Sequence, residues 1–361
     1  MKRTKIFLVL VSFFLFFTVF TGCPQSVKNY TVFYSSTSDY SAYSLWKIST
    51  EEEDVSGESA YFSMASSGIG QAVVIGDYLC FANSYSFSEG NVYFLHKSNV
   101  SDYEIIDFGT DFPKGIAYYA GYIYIANGQG NSVKRIKVYS PERFSGSDFL
   151  SIDSLTVDPQ FLIATPENPY YFKVLNGFLY LTVQDYNNSY ADSSLLLLSI
   201  SGTGAIQNTF SLVSGNNGKN PFDVTADGDI IYVGCNGDYA NSGSIEIING
   251  NDTDHYEFNQ GGYSQVKNIV SIEAGIYLRA SDGGWPETSK IFKVNADNSF
   301  SEIDTGLTNH YALYQYDGHL FIIGTDGAGT YCQVYDGTFS LISQTEINGT
   351  VTSDLQILAV E

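Results

Sequence analysis

Four histidines and 39 carboxylates are the side chains of this 361-residue chain most able to do chemistry. His96, His255, His310 and His319 stand far apart, and none has a partner at the spacing that puts two metal ligands on one element. There is no Gly-x-Ser-x-Gly turn to lift a serine nucleophile above a sheet. Asn249-Gly250-Asn251-Asp252-Thr253-Asp254 offers oxygen ligands of the kind calcium prefers. It lacks the glycine at its sixth position and the glutamate at its twelfth that a calcium loop needs, so it reads as a polar turn. No pair among the 39 acids stands out as a glycosidase acid and base. The residues thus assign no catalytic group, no metal and no cofactor.

Two other sets are more informative. One joins acids to aromatics in short polar stretches: Asp39-Tyr40, Tyr85-Ser86-Phe87, Asp185-Tyr186 with Tyr190, Asp238-Tyr239, Asp282 with Trp285, and Asp326. Aromatic rings beside Asp and Asn suit sugars, and they also suit protein partners, where Tyr and Trp are common anchors. The same residues are ordinary turn formers in a chain with 29 tyrosines. The second set stands where short apolar runs begin: Gln71, Lys114, Tyr171, Asp223, Lys267, His310 and Asp354. It could line a polar pocket or simply a hydrated channel mouth.

Both sets depend on a repeat. An apolar run, a tight turn and a second run rich in Tyr, Ile, Leu and Val recur over 72–83, 116–127, 172–183, 223–234, 269–280 and 312–323. The turn glycines fall at 76, 121, 177, 228, 275 and 318. Asn176-Gly177, Asp227-Gly228 and Asp317-Gly318 are two-residue hairpin signals, because such turns need positive φ. A second strand pair follows each hairpin, as in 194–200 with 207–213. Each unit therefore holds four antiparallel strands, A to D, and repetition of such units predicts a β-propeller. Residues 31–36 read as a strand B without a strand A, and 354–360 as a strand A without a strand B. Pairing them completes a seventh blade and closes the ring, which removes exposed sheet edges. The expectation is an all-β, seven-bladed propeller over residues 30–361. Its B–C and D–A loops share one face, so the acid–aromatic rim and the polar mouth meet there.

The ends and the charge narrow the setting. Lys2, Arg3 and Lys5 precede an apolar run from Ile6 to Phe20, the layout of a secretory signal and too short to span a bilayer. Residues 1–22 are expected to be this signal, and 23–29 a tether. Beyond it, 14 basic residues face 39 acidic ones, which argues against nucleic acid as a partner. Cys80, Cys235 and Cys332 are an odd number without metal spacing, and Cys80 and Cys332, in or beside strand-like runs, read most simply as small buried residues. The basic group Lys134, Arg135, Lys137 and Arg143 reads as a solvated outer face.

Phe20-Thr21-Gly22-Cys23 resembles the lipobox of bacterial lipoproteins, with Phe where Leu is commoner. The resemblance implies cleavage before Cys23, a lipid on that cysteine, and a place in the cell envelope held to a membrane. Residues 113–139 resemble an NHL or YVTN-type propeller repeat through Pro113, Gly115, Ile116, Ala117, Gly121, Tyr124, Ala126, Asn127 and Asn131, and 221–234 match more loosely. That implies a fold, not a function. Ser281-Asp282-Gly283-Gly284-Trp285 is similar to the sialidase Asp-box but lacks its spacing. Three functions remain open: a non-catalytic module recognising a protein or glycan, a scaffold, or a lyase or glycoside hydrolase whose Asp223, Asp354 and His310 converge at the axis. Because the mature chain begins at a strand B, the A–B turns should face the membrane.

Overall fold

A computed structural model describes residues 29–36, 43–50, 60, 62–64, 69–85, 89–109, 112–138, 155–185, 193–199, 205–212, 220–238, 242–250, 252–284, 286–347 and 356–361. These residues form seven four-stranded antiparallel sheets and no helix. Blade 1 contains β1 (Thr31–Ser36), β2 (Tyr43–Ser49) and β3 (Phe62–Met64). Blade 2 is β4 (Ile69–Ile75), β5 (Tyr78–Tyr85), β6 (Glu89–His96) and β7 (Tyr103–Gly109). Blade 3 is β8 (Pro113–Tyr119), β9 (Tyr122–Asn127), β10 (Ser132–Val138) and β11 (Leu155–Ala164). Blade 4 is β12 (Asn168–Leu175), β13 (Phe178–Gln184), β14 (Ser194–Ser199) and β15 (Ala205–Ser211). Blade 5 is β16 (Pro221–Asp227), β17 (Ile230–Cys235), β18 (Gly243–Asn249) and β19 (Asp252–Phe258). Blade 6 is β20 (Gln265–Ile272), β21 (Gly275–Ser281), β22 (Ser289–Val294) and β23 (Phe300–Glu302). Blade 7 is β24 (Asn309–Tyr316), β25 (His319–Thr325), β26 (Thr330–Tyr335) and β27 (Leu341–Glu346), and β28 (Gln356–Val360) returns to blade 1 as its strand A. The chain is a seven-bladed β-propeller, as the repeat predicts.

The A–B turns follow from local chemistry. Asn176-Gly177 and Asp317-Gly318 both take two positive φ angles, 51° and 76°, then 48° and 75°. At the third predicted turn the centre lies one residue later. Asp227 pairs with Ile230, so Gly228-Asp229 forms the loop, with glycine at the position that needs positive φ. Neighbouring turns are tied around this face: the Asn176 amide donates to the Gly228 carbonyl at 2.6 Å, and the Tyr119 hydroxyl donates to that of Gly177.

Blades cohere through seven apolar clusters among the described residues, one at each interface between adjacent blades. Phe33, Phe81 and Leu358 join blades 1 and 2, for example, and Tyr34, Phe321 and Val360 join blades 1 and 7. Cys80, Cys235 and Cys332 are free and buried in this packing, and burial pushes the Cys332 thiol up to about 12. Arg135 departs from the solvated face expected of it. It is buried, lies 4.0 Å and 4.2 Å from the ring centroids of Tyr122 and Phe161, and donates to Asp158 at 2.8 Å.

The chain joins the ring on the A–B face. Thr31 and Glu361 exchange both backbone hydrogen bonds, at 2.9 Å and 3.1 Å. Tyr30 is buried, and its hydroxyl lies 2.9 Å from Nδ1 of His319, just past the A–B turn of blade 7.

Candidate binding site at the axial mouth

Each strand A carries one residue more than the strand B it pairs with, and on blades 2–7 the surplus falls close to its mouth end. Pro113 pairs with Asn127 and Gly115 with Ala126, so Lys114 bulges out of β8. Phe222 bulges from β16, Lys267 from β20 and Tyr311 from β24 in the same way. On β12 Tyr170 and Tyr171 together face Thr182, whose hydroxyl lies 3.0 Å from the Tyr171 amide. On β4 Gly70 and Gln71 share the surplus. On β28 it is Leu358, buried between blades 1 and 2. A bulge re-aims a side chain that a regular ladder would send between blades. Because strands A touch one another in a closed circle, the re-aimed side chains meet around the axis.

Four consecutive blades join in this way. Lys114 Nζ lies 4.6 Å from the Phe112 ring centroid and 5.9 Å from that of Tyr170. The Tyr170 and Tyr171 rings lie 5.7 Å and 5.6 Å from Phe222, and Lys267 Nζ is 5.9 Å from Phe222 on the other side. All six are half-buried. Lys267 Nζ is also 3.6 Å from Glu287, whose other oxygen lies 3.7 Å from Arg279. Glu287 belongs to the B–C loop of blade 6, so B–C loop and mouth adjoin on one face. Gln71 crosses past blade 3: its amide donates to the Phe172 carbonyl and accepts from the Phe172 N–H, each at 2.7 Å.

Of the predicted mouth residues, Lys114, Tyr171 and Lys267 fall in this strip. Asp223 and His310 each lie one residue from the bulge; His310 turns into the core, whereas the Asp223 carboxylate reaches across strands A, to Ile269 of blade 6 and Lys173 of blade 4. Asp223 accepts from the backbone of Val224 and Ile269 at 2.9 Å and 3.1 Å and pairs with Lys173 at 3.5 Å. His310 is buried, with Nε2 2.6 Å from the Thr305 hydroxyl and Nδ1 3.0 Å from the Ser289 carbonyl. It is no funnel ligand. Asp354 lies outside the described residues. The residues that sequence reasoning missed, Phe112, Tyr170 and Phe222, each adjoin or sit next but one to a predicted position. Only the bulge, which swaps faces by one residue, distinguishes them.

The rim separates into parts. Tyr40, Tyr186, Tyr190, Tyr239 and Trp285 lie outside the described residues, and Tyr85 ends β5 without a described side chain. Asp185 does not stand on an exposed rim: it is 2% exposed, and its N–H lies 3.5 Å from the Ser193 hydroxyl. Asp238 is half-buried just past β17. Asp282 and Asp326 are exposed but shape their own loops. Burial pushes Asp282 up, and hydrogen bonds from Thr288 and Gly284 outweigh it, leaving the carboxyl below its usual range. Backbone N–H groups of Gly329 and Ala328 hold Asp326 low.

One buried polar group lies apart. Glu246 on β18 accepts from the Ser244 hydroxyl at 2.7 Å and lies 2.6 Å from Nδ1 of His255, its cross-strand neighbour. Burial raises its pKa, although both partners oppose the shift.

His310 carries a pH prediction. Burial lowers its pKa from 6.5 to about 4, so the unfolded chain binds the proton more readily than the folded one. Its contribution is present above pH 6.5 and is lost as pH falls toward 4, by about 3 kcal/mol in total. Urea unfolding at stepped pH should show this slope in the native chain and a shallower one in His310→Gln. Equal slopes would refute the assignment.

Neither a family model nor a curated protein matches the chain. Among solved structures it is similar to a Bacteroides fragilis protein assigned as a 6-phosphogluconolactonase, at 13% identity over 94% of this chain and 100% of that one, with a TM-score of 0.56. It is similar to the periplasmic gluconolactonase of Pseudomonas aeruginosa at 11% identity over 92% and 100%, TM-score 0.55. It is also similar to the Dos1 propeller at 12% identity over 90% and 86%, TM-score 0.52. At such identities the likeness is one of fold, and what this chain shares with all three is the propeller.

Proposed function

We propose that this chain is a lipid-anchored recognition module of the cell envelope that binds a protein or glycan through its B–C and D–A loop face. The observation that carries this reading is the strip of bulged residues, in which Lys114, Tyr170, Tyr171, Phe222 and Lys267 join across four blades. Half-buried rings carried by a sheet lose little entropy on binding, which favours affinity. The Cys23 anchor fits the placement of Tyr30 on the opposite face. The six residues between them reach about 20 Å when extended, so the A–B turns would face the membrane and the strip would face away.

A hydrolase or lyase at the axis finds less support. The Asp223 carboxylate already serves two backbone N–H groups and Lys173, and both His310 ring nitrogens are engaged. The test is an array of glycans and envelope proteins probed with the chain and with the Tyr170→Ala/Phe222→Ala double variant. A loss of about tenfold or more is expected, since stacked anchors are worth upwards of 1 kcal/mol each. Ligands that bind both forms equally would overturn the reading of the face. Cys23→Ser should release the chain from the membrane fraction, and retention there would overturn the anchor.

A further inference from the structure

Large apolar side chains left in water gather at one end of the ring. Among the described residues six are exposed: Tyr103, Leu162, Val174, Phe178, Tyr316 and Leu341. Five of them stand on the A–B side. Val174 and Phe178 flank the A–B turn of blade 4, and Phe178 is 50% exposed. Tyr316 pairs with His319 across the A–B turn of blade 7. Tyr103 and Leu341 open β7 and β27, just after the C–D turns of blades 2 and 7. In an antiparallel blade the C–D turns share a face with the A–B turns. The sixth, Leu162, pairs with Lys134 near the start of β10, at the mouth end.

These five side chains do not form one patch. They sit on blades 2, 4 and 7, around the whole face. A small partner would meet one blade's share, whereas a flat surface meets all of them at once. The chain joins the ring on this face. Tyr30 is buried there, and the Tyr316 ring stands edge-on to it at 6.3 Å. Six residues separate Tyr30 from Cys23. Tyrosine suits the boundary between water and acyl chains, since its ring is apolar and its hydroxyl is not. Among the described residues the same turns also hold exposed acids: Asp227, Asp229, Glu273 and Asp317. A second copy docked face to face would bring these acids together, and an anionic headgroup layer would repel them. Zwitterionic headgroups carry their cationic group outermost and do neither.

We infer that the A–B face rests on a zwitterionic bilayer, with Tyr103, Phe178, Tyr316 and Leu341 at the depth of the headgroup–acyl boundary. This builds on the proposed anchor at Cys23 and adds that the propeller lies on the surface instead of swinging from its tether. A single acyl chain holds a protein only marginally, and apolar side chains that reach the boundary supply a second hold.

The experiment adds one tryptophan at a time to either end of the ring. The chain from Cys23 onward, which keeps every described residue, is coupled through Cys23 to a maleimide phospholipid in phosphatidylcholine vesicles. Cys80, Cys235 and Cys332 are buried and stay out of the reaction. Coupling fixes the anchor chemically, so the face is tested even if Cys23→Ser shows that no lipid is added in the cell. Phe178→Trp and Leu341→Trp should each lose about half of their added emission to lipids brominated near the top of the acyl chains, the depth that interfacial side chains reach. Leu162→Trp should lose none. All three sites are exposed, so each variant should keep the parent's thermal midpoint. Replacing phosphatidylcholine with phosphatidylglycerol should cut the loss about twofold or more. No quenching at positions 178 and 341, or equal quenching at 162, would overturn the resting face. Quenching undiminished in phosphatidylglycerol would overturn the lipid class. A dimer of the uncoupled chain in light scattering, with the Phe178→Trp emission shifted to the blue, would assign the face to a second copy instead.

Discussion

Ending the chain before Gln356 abolishes cooperative folding. Among the described residues, β28 is the strand that covers the inner edge of β1, and it does so from the far end of the sequence. Its Ile357, Leu358 and Val360 are 9%, 4% and 4% exposed. At about 1.5–3 kcal/mol for each buried aliphatic side chain, their loss amounts to roughly 5–9 kcal/mol. That rivals the whole stability of an ordinary domain, about 5–15 kcal/mol. The damage spreads, because Leu358 belongs to the cluster joining blades 1 and 2 and Ile357 to the one joining blades 7 and 1. Truncation also removes the Lys97–Glu361 ion pair. It leaves the N–H and C=O groups of β1 open, which invites pairing between copies. Calorimetry and light scattering should show a broad or absent transition and association. Adding a peptide of residues 354–361 should restore the transition by strand addition. A truncated monomer that melts within a few degrees of the whole chain would refute the closure argument.

Gly115→Ala should be among the most damaging single methyl groups in the ring. A Cβ there would stand 2.4 Å from the Tyr170 carbonyl oxygen and 3.2 Å from the Gln71 amide oxygen. The first is backbone, fixed within a bulge, and the second is engaged with Phe172. Blades 2, 3 and 4 would have to separate, or the Gln71 bridge break. Overpacking costs about 1–3 kcal/mol, and loss of hydrogen bonds to a buried backbone adds about 1–3 kcal/mol. Gly121→Ala is the matched control. Its φ is +83° and nothing lies within 4 Å of the added carbon, so only backbone strain of about 1 kcal/mol applies. Urea midpoints should place Gly115→Ala well below Gly121→Ala. The reverse order would show that strands A can spread freely.

The sequence made the ring legible for a physical reason. Each A–B hairpin is a local object, defined by a turn that needs positive φ and by apolar runs on both sides. Even the closing strand shows itself, because 31–36 and 354–360 each lack a mate. The mouth was harder to read. Position in a strand says which way a side chain faces only while the register holds, and one extra residue reverses it. That is why His310 turns into the core beside Thr305, while its neighbour Tyr311 occupies the bulge. On blade 5 the bulged residue is likewise the neighbour of the predicted one, Phe222 beside Asp223. Asp185 misled for another reason: an acid after a strand suggests a solvent loop, and here it is buried, its N–H 3.5 Å from the Ser193 hydroxyl.

The paired Thr31 and Glu361 give the ring no privileged beginning. Their two reciprocal backbone bonds are the kind that elsewhere flank a two-residue turn, such as the one between Leu175 and Phe178. In geometry the chain is a circle cut at one of seven equivalent A–B turns. A short linker could fuse residues 31 and 361, and new ends could be opened at Gly228-Asp229. The circularly permuted molecule would keep every blade and the whole axial strip, with its ends displaced four blades around the ring.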